Sequence, residues 1–522
     1  LTRNLRKTDE FPNQERIKWF VFFIIFFLIS FGLIFWILRE NPGVTPDSVV
    51  YLQVAQSFSE SKRIFYQGNL ITHYPPGYPV ILAFGNFFFA DSFQFIRLLN
   101  SLLFGLDILF VGLIVKKATD NQITAVFLAM LACLTSSILV STNLMVWSEP
   151  PFMFFSLIGF YFLFLNFSKP NMRTLVFGSL FLGLALMTRY SGISLIPPII
   201  FVIVFLSGMK PLKKFRDCLI FLVIACLPLC SWLVYSKVTA NSATNRPIVF
   251  HPINQNHLLE LINSIFDIFF PFGWVFPTYH KSIILLIVVS FIIIGYVLLE
   301  KKMKYEEKNK KPIIASCLFC FLVFYLVFIS ISVSFLDAST HFDDRILSSF
   351  VIFGFPLIII IVWRASIRYQ MKAIRNIFII IFILWETLMV FDLLIFVSDF
   401  KANGVGYSSK YWESSETVQQ IDECYFDQKI VTNAPDAVSY FLNQEAAFLP
   451  THTFPVTLLP NLDYDQEMIN LCDSLSQKEI IVIYFNKVDR WYLISEEEFL
   501  IVCEPEEKVE YLDGSIYFAE PD

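Results

Sequence analysis

The sequence predicts a polytopic α-helical membrane protein of about eleven spans, with a small α/β domain at its C-terminal end. Three observations predict it. Hydrophobic residues fill 56% of 522 positions, aromatic residues 17%, and the mean hydropathy is +0.61. Apolar segments of roughly 18–22 residues recur, each long enough to cross a hydrocarbon core of about 30 Å. The charge balance also changes abruptly near residue 400. A single soluble domain is excluded by the composition.

In chain order the spans are predicted at 19–38, 95–115, 122–140, 150–167, 174–188, 192–208, 218–235, 282–299, 313–333, 346–363 and 376–397. The first stretch is long for the apolar region of a signal peptide. It runs into Arg39, Glu40 and Asn41 without a small-residue cleavage pattern, so it reads as a retained span.

Lysine and arginine orient these spans. The N-terminal tail at 1–18, the Lys116–Lys117 turn, Lys169 with Arg173, and the loops at 210–216, 301–311 and 364–375 hold 23 basic residues; the alternate loops hold nine. Basic loops stay on the cytoplasmic side. The loops carrying Asp47, Glu149, Arg189 and Arg345 therefore face outward together. Because the basic residues follow topology and form no groove face, nucleic acid is excluded as a partner.

The expected membrane domain covers 19–400, including an outer loop at 39–94, and the expected C-terminal domain covers 401–522. From Lys401 onward 23 acidic residues face 7 basic ones, and no stretch is long enough to span. The odd span count places this tail outside. Within it, 429–432 and 479–485 read as strands, 433–436 as a turn opening a short helix, and 509–519 as a hairpin on Asp513-Gly514. Six of the nine cysteines lie in or beside apolar spans; of Cys424, Cys472 and Cys503, one pair is placed to form a disulfide, and no Cys/His metal spacing occurs.

The loop after the first span carries the chemistry. Pro46 restricts Thr45 to extended backbone, and Asp47 is positioned to cap a helix on which Tyr51 and Ala55 follow at i+4 and i+8. A partly desolvated carboxylate at the membrane rim can also act as a general base toward a hydroxyl. The loop closes with Thr72-His73-Tyr74-Pro75-Pro76-Gly77-Tyr78-Pro79.

Taken in order, the Asp47-Ser48-x-x-Tyr51 segment, Tyr74-Pro-Pro-Gly-Tyr78-Pro, Ser148-Glu149-Pro150, Thr188-Arg189-Tyr190 and Asp343-Asp344-Arg345 resemble the GT-C glycosyltransferases of the protein-mannosyltransferase and aminoarabinose-transferase type. These membrane enzymes use a polyprenyl-phosphate-linked sugar. The resemblance implies that Asp47 is the catalytic aspartate and Glu149 the second acidic residue near the cavity. It further implies that Arg345 and Arg189 hold the lipid phosphate, and that transfer inverts the anomeric carbon. Two departures separate the chain from either branch. Tyr74 stands where the aminoarabinose branch has a lysine, and Asp47-Ser48 stands where the mannosylating branch has an acidic pair.

Each assignment has an ordinary alternative. Glu149 before Pro150 suits a plain helix start, and Arg189 and Arg345 can snorkel at helix ends. Asp343 and Asp344 can orient Arg345 or neutralise it. His73 is either a phosphate ligand or a loop histidine, and Tyr51, Tyr74 and Tyr78 are candidate cleft residues. Asp47 and Glu149 are the available ligands for a divalent Mg²⁺ or Mn²⁺, although two ligands do not specify a metal. The loop at 236–281 mixes Asn241, Asn245, Arg246 and His251 with aromatic residues, as a sugar cleft or an interfacial anchor would.

The expected activity is sugar transfer from a polyprenyl-phosphate donor to a lipid, glycan or protein of the envelope. The expected place is a cell membrane, the bacterial inner one by resemblance. A transporter, a lipid-linked glycan polymerase or flippase component, and a noncatalytic assembly protein are the alternatives. A transporter predicts internal repeats and broken spans at the midplane.

Overall fold

The computed structural model describes residues 13–306, 313–424 and 428–519. Arg3, Arg6 and Lys7 of the expected cytoplasmic tail, and the basic residues at 308–311, lie outside them. Among the described residues, seven helices are long and apolar enough to cross a membrane: α1 (Asn13–Ile37), α4 (Ser92–Ala118), α7 (Glu149–Ser168), α10 (Pro211–Ala240), α13 (Ile313–Phe335), α14 (Asp344–Arg368) and α15 (Lys372–Asn403). An eighth crossing results if α5 (Ile123–Leu134) and α6 (Ser137–Leu144), bent by 53° at their junction, form one span.

This corrects the expectation of eleven spans. The 174–188 segment belongs to α8 (Met172–Thr188), whose 17 residues rise only about 26 Å. The 192–208 segment is a 3-10 turn at Tyr190–Leu195, the short α9 (Ile196–Phe201) and a π-helical turn at Val202–Leu206. The 282–299 segment lies within the 29-residue α12 (Thr278–Glu306), which is not among the seven. A hydropathy window registers apolar residues but not backbone breaks, so segments packed inside a bundle score like spans.

The breaks have local causes. The Ser136 hydroxyl accepts from the Leu139 amide (3.4 Å) and starts α6 afresh, while the Thr135 hydroxyl donates to Glu386 on α15 (2.6 Å). Elsewhere small residues permit close contact. A Cβ on Gly159 of α7 would lie 3.2 Å from the Gly178 carbonyl of α8, and one on Gly178 would lie 3.1 Å from that of Gly159. The two backbones approach closely there, with the Leu182 and Leu163 side chains packed against the glycines.

On one face of the bundle lie α2 (Pro46–Ser61), the short hairpin β1 (Phe65–Tyr66) and β2 (Asn69–Leu70), and α3 (Gly77–Asn86). Amphipathic α11 (Gln255–Phe269) follows α10. After α15 the chain forms α16 (Lys410–Glu413) and α17 (Glu416–Cys424). A five-stranded sheet follows in the order β4-β3-β5-β7-β6, from β3 (Lys429–Thr432), β4 (Ala446–Phe448), β5 (Ile480–Phe485), β6 (Glu507–Glu510) and β7 (Gly514–Phe518). Strand β3 runs parallel to β4 and β5, and β7 runs antiparallel to β5 and β6. The all-apolar β5 is buried along its whole length, as befits a central strand. Helices α18 (Pro435–Leu442), α19 (Tyr464–Ser476) and α20 (Glu496–Cys503) flank the sheet, and Cys472–Cys503 joins α19 to α20 as a disulfide.

Packing decides which face the sheet domain occupies. Ser408 donates to the Pro42 carbonyl (2.6 Å), and the Tyr407 amide donates to that of Val44 (2.8 Å). Gly43 in turn exchanges hydrogen bonds with Leu144 and Val146 (both 3.0 Å). One apolar core contains Val44, Val49, Tyr51 and Val146 together with Trp412, Ile430 and Ile481. The C-terminal domain is thus fastened to the loop that carries Asp47. With seven or eight crossings the odd span count no longer places this domain; it packs beside the Asp47 loop.

Candidate active site

The chain places Asp47 by capping the helix two residues earlier than the sequence pattern indicated. Thr45 is the N-cap of α2, its amide donating to Ser48 Oγ (3.0 Å), and Pro46 occupies the first turn, where its missing N–H costs nothing. Asp47 is therefore released from capping. The Ser48 hydroxyl donates to the Val146 carbonyl (2.9 Å), and Trp147 Nε1 donates to Thr45 Oγ1 (2.9 Å), which fixes the helix start against the segment before α7.

Four charged groups then form one chain. Arg345, in the first turn of α14, donates through Nη1 to Asp47 Oδ2 (2.6 Å) and through Nε to Glu149 Oε1 (2.6 Å), and its guanidinium lies 4.6 Å from the Trp147 ring centroid. Arg189 makes a second, close ion pair with Glu149. Tyr74 donates to the remaining oxygen of Asp47, Oδ1 (2.6 Å). Burial opposes ionisation of Asp47, but Arg345 and the Tyr74 hydroxyl prevail and hold its carboxyl below the ordinary value. Asp343, one of the two residues expected to orient Arg345, instead caps α14 by accepting from the Ile346 amide (2.9 Å).

These groups border a cavity of about 520 Å³. Asp47, Tyr51, His73, Tyr74, Arg189 and Arg345 line it. Glu149, 1% exposed, and the buried Tyr78 stand behind the wall. Tyr78 packs edge-on against Tyr51 at 5.1 Å, and Tyr51 against Tyr74 at 5.0 Å, so one cleft candidate supports the other two. Gly77 lets this segment approach the end of α8: a Cβ there would come within 2.4 Å of the Met187 carbonyl.

On the same cavity wall, joined to Tyr74 through the edge-on ring of His73 at 5.0 Å, lies a group that no sequence motif marked as a site. Arg246 donates to His73 Nε2 (3.1 Å) and faces Asp337 at 3.5 Å, and its buried Nε has no hydrogen-bond partner among the described residues. Burial, assisted by the Arg246 charge, lowers the His73 pKa to about 4, so its imidazole is neutral near pH 7. Arg246 sits in a long polar loop, and its partners are 173 and 91 positions away, which leaves no local spacing to read.

The arrangement can accept a proton at Asp47 and an anion at Arg246. Asp47 and Glu149, the two carboxylates expected to be available to a divalent cation, both bond to the Arg345 guanidinium in this structure. Among the described residues no group of three histidine, cysteine, aspartate or glutamate side chains is placed to hold a metal.

Comparison with known proteins agrees with the resemblance read from the motifs. Residues 73–235 match the family model described as dolichyl-phosphate-mannose-protein mannosyltransferase. Two crystal structures of ArnT from Cupriavidus metallidurans share the fold. The form bound to undecaprenyl phosphate aligns over 97% of this chain and 99% of that one, at 12% identity and a TM-score of 0.57. The apo form aligns over 97% and 100%, at 11% identity and a TM-score of 0.60. No curated protein matches the chain.

Proposed function

We propose that this chain is a GT-C glycosyltransferase that moves a sugar from a polyprenyl-phosphate-linked donor to an acceptor hydroxyl. The observation that carries the reading is the Asp47 carboxylate, held ionised by Arg345 and Tyr74 on the wall of a cavity that Arg246 also lines. The acceptor oxygen attacks the anomeric carbon and forms the new glycosidic bond. Its proton passes to Asp47, and the bond from the anomeric carbon to the phosphate oxygen breaks. Polyprenyl phosphate leaves with the electron pair. A single displacement of this kind inverts the anomeric centre.

Catalysis of this step needs positive charge where the leaving phosphate gains its negative charge. Arg246 suits that role because its carboxylate partner among the described residues stands 3.5 Å away. Arg345 and Arg189 complete the positive field, while Glu149 positions them from behind the wall. His73, neutral, accepts from Arg246 and orients it. No step runs through a metal.

The reaction is proposed for the extracytoplasmic face, in a bacterial inner membrane by analogy with ArnT, with an envelope lipid, glycan or protein as acceptor. The lysine- and arginine-rich segments, read by the positive-inside rule as cytoplasmic, support this side. The Cys472–Cys503 disulfide, of a kind that persists in oxidising compartments, lies in the domain fastened to the Asp47 loop.

The test is reconstitution of the chain in lipid with a panel of polyprenyl-phosphate sugars and membrane extract as acceptor source. Release of polyprenyl phosphate coupled to product formation is the expected result. Inactivity toward every donor, in protein that retains its fold, rejects the reading.

A further inference from the structure

Helix α2 has a second face. While Asp47 and Tyr51 look into the catalytic cavity, Leu52, Gln53, Gln56 and Glu60 border a separate cleft of about 620 Å³. Its other walls are the turn between α3 and α4 and the end of α18 in the C-terminal domain. The volume is within the range of small-molecule sites, about 300–1,000 Å³, and a junction between domains is where such sites concentrate.

The lining states what would fit. Gln53 donates to the Ser439 hydroxyl (2.5 Å), Gln56 to Glu60 (2.9 Å), Asn86 to the Ser59 hydroxyl (3.4 Å), and Ser92 to Asn86 (3.0 Å). Side-chain amides offer donors and an acceptor together, and hydroxyls can do either, so this set can meet adjacent hydroxyl groups on a ligand. The rings of Phe89, Phe93 and Tyr440 interrupt the polar groups and offer apolar faces to C–H surfaces. Among the described residues no lysine, arginine or histidine lines the cleft, and Glu60 and Asp91 do, so a phosphate or other anion would meet repulsion without compensation. Amides, hydroxyls and aromatic faces without cations are the complement of a neutral saccharide.

We propose that this cleft binds a saccharide and that it holds the glycan portion of the acceptor; the second statement rests on the transferase reading above. One rigid helix then carries the base and the cleft. Gln56 is nine residues beyond Asp47, about 14 Å along the axis. An acceptor seated in the cleft is thereby fixed relative to Asp47.

The proposal is tested on the full chain in lipid nanodiscs by saturation-transfer NMR, with maltotetraose, chitotetraose and mannotetraose as probes. Saturation transfer to at least one probe is expected in the wild type. Gln56→Ala removes an exposed amide and Ala90→Trp fills the cleft from its rim, so neither disturbs the core. Each should weaken binding by about fivefold or more, the worth of one net hydrogen bond, with retention of a polyprenyl-phosphate sugar unchanged. Absence of transfer to all three probes, or binding unaffected by both substitutions, overturns the cleft.

Saccharide binding without turnover on any donor keeps the cleft and removes the transferase reading. Where turnover is seen, both substitutions should raise the KM for a glycan acceptor at constant kcat. An unchanged KM overturns the acceptor assignment.

Discussion

The two charge clusters that line the catalytic cavity, one around Asp47 and one around Arg246, are built in opposite ways. In the Asp47 cluster every charge is tightly paired: Arg345 bridges Asp47 and Glu149, Arg189 closes on Glu149, and Tyr74 takes the last oxygen of Asp47. In the Arg246 cluster the charge is held loosely, by a neutral histidine at 3.1 Å and a carboxylate at 3.5 Å. The locked cluster fixes a carboxylate in one place and protonation state, as a base needs before substrate arrives. The loose cluster keeps a guanidinium available to an anion that comes and goes. Preorganisation and availability are competing demands on a charged group, and the protein meets them in two neighbouring clusters joined through Tyr74 and His73, whose rings meet edge-on at 5.0 Å.

Four substitutions or conditions probe this contrast. The largest effect is expected from Asp47→Asn, which keeps the size of the side chain and removes its basicity. Turnover should fall by roughly 10²–10⁴-fold, with donor retention much less affected because the phosphate is assigned to the other cluster. Since Thr45 and not Asp47 caps α2, the helix start should survive, and the weakened Arg345 contact should lower the unfolding temperature less than loss of the more deeply buried Glu149 charge does. Near-normal turnover would reject the base assignment.

Glu149→Gln strikes the lock itself. It leaves two guanidiniums beside a buried neutral amide, and removing one partner of a buried ion pair costs about 3–5 kcal/mol. A large drop in unfolding temperature is therefore expected. If activity falls while the unfolding temperature holds, Glu149 acts in the chemistry and the picture of a purely positioning residue behind the wall fails.

Arg246→Gln should act on the loose cluster alone. Loss of a charge-assisted contact to phosphate, about 1.5–3 kcal/mol, weakens donor retention by roughly tenfold to a hundredfold and leaves stability nearly unchanged. An equal loss of stability would mean that Arg246 is locked into the structure as firmly as Arg345, and the contrast between the clusters would disappear.

The smallest effect concerns pH. With the His73 pKa lowered to about 4, donor retention should stay flat as pH falls from 8 to 5, because the imidazole gains no charge there. A rise in retention through about pH 6.5, the ordinary histidine value, would instead make His73 a cationic phosphate ligand. The same shift bears on stability. Between about pH 6.5 and 4 the unfolded chain binds a proton that the folded chain does not, so this histidine makes stability decline as pH falls through that window. His73→Asn should remove that part of the slope.

Much of the site could be read without coordinates. Asp47, Glu149, Arg189 and Arg345 were recognisable because each interrupts or opens an apolar run on the side opposite the basic loops. Their pairing was not, since the Arg345–Asp47 contact joins residues 298 positions apart. Nor could the pattern distinguish lining from support: Glu149 and Tyr78 look like cleft residues in sequence and stand behind the wall in space. Arg246 was visible only as one polar residue in a long loop.

For the fold, composition by itself determined that the chain lives in a membrane, and the distribution of lysine and arginine determined which loops share a side, because both follow from the energy of placing single residues in hydrocarbon or water. The buried β5 was likewise local, set by a continuous apolar run; the β6–β7 hairpin forms, but its turn lies at Leu512-Asp513 and not at Asp513-Gly514, because Gly514 already belongs to β7. The number of crossings was decided by tertiary structure. Whether an apolar run spans, bends at Thr135-Ser136 or packs as the short pieces of 190–206 depends on neighbours that satisfy its backbone or cover its sides. Tertiary structure also decided the partner of each charge: a buried guanidinium takes the carboxylate that packing brings within reach, and no one-dimensional spacing records that distance.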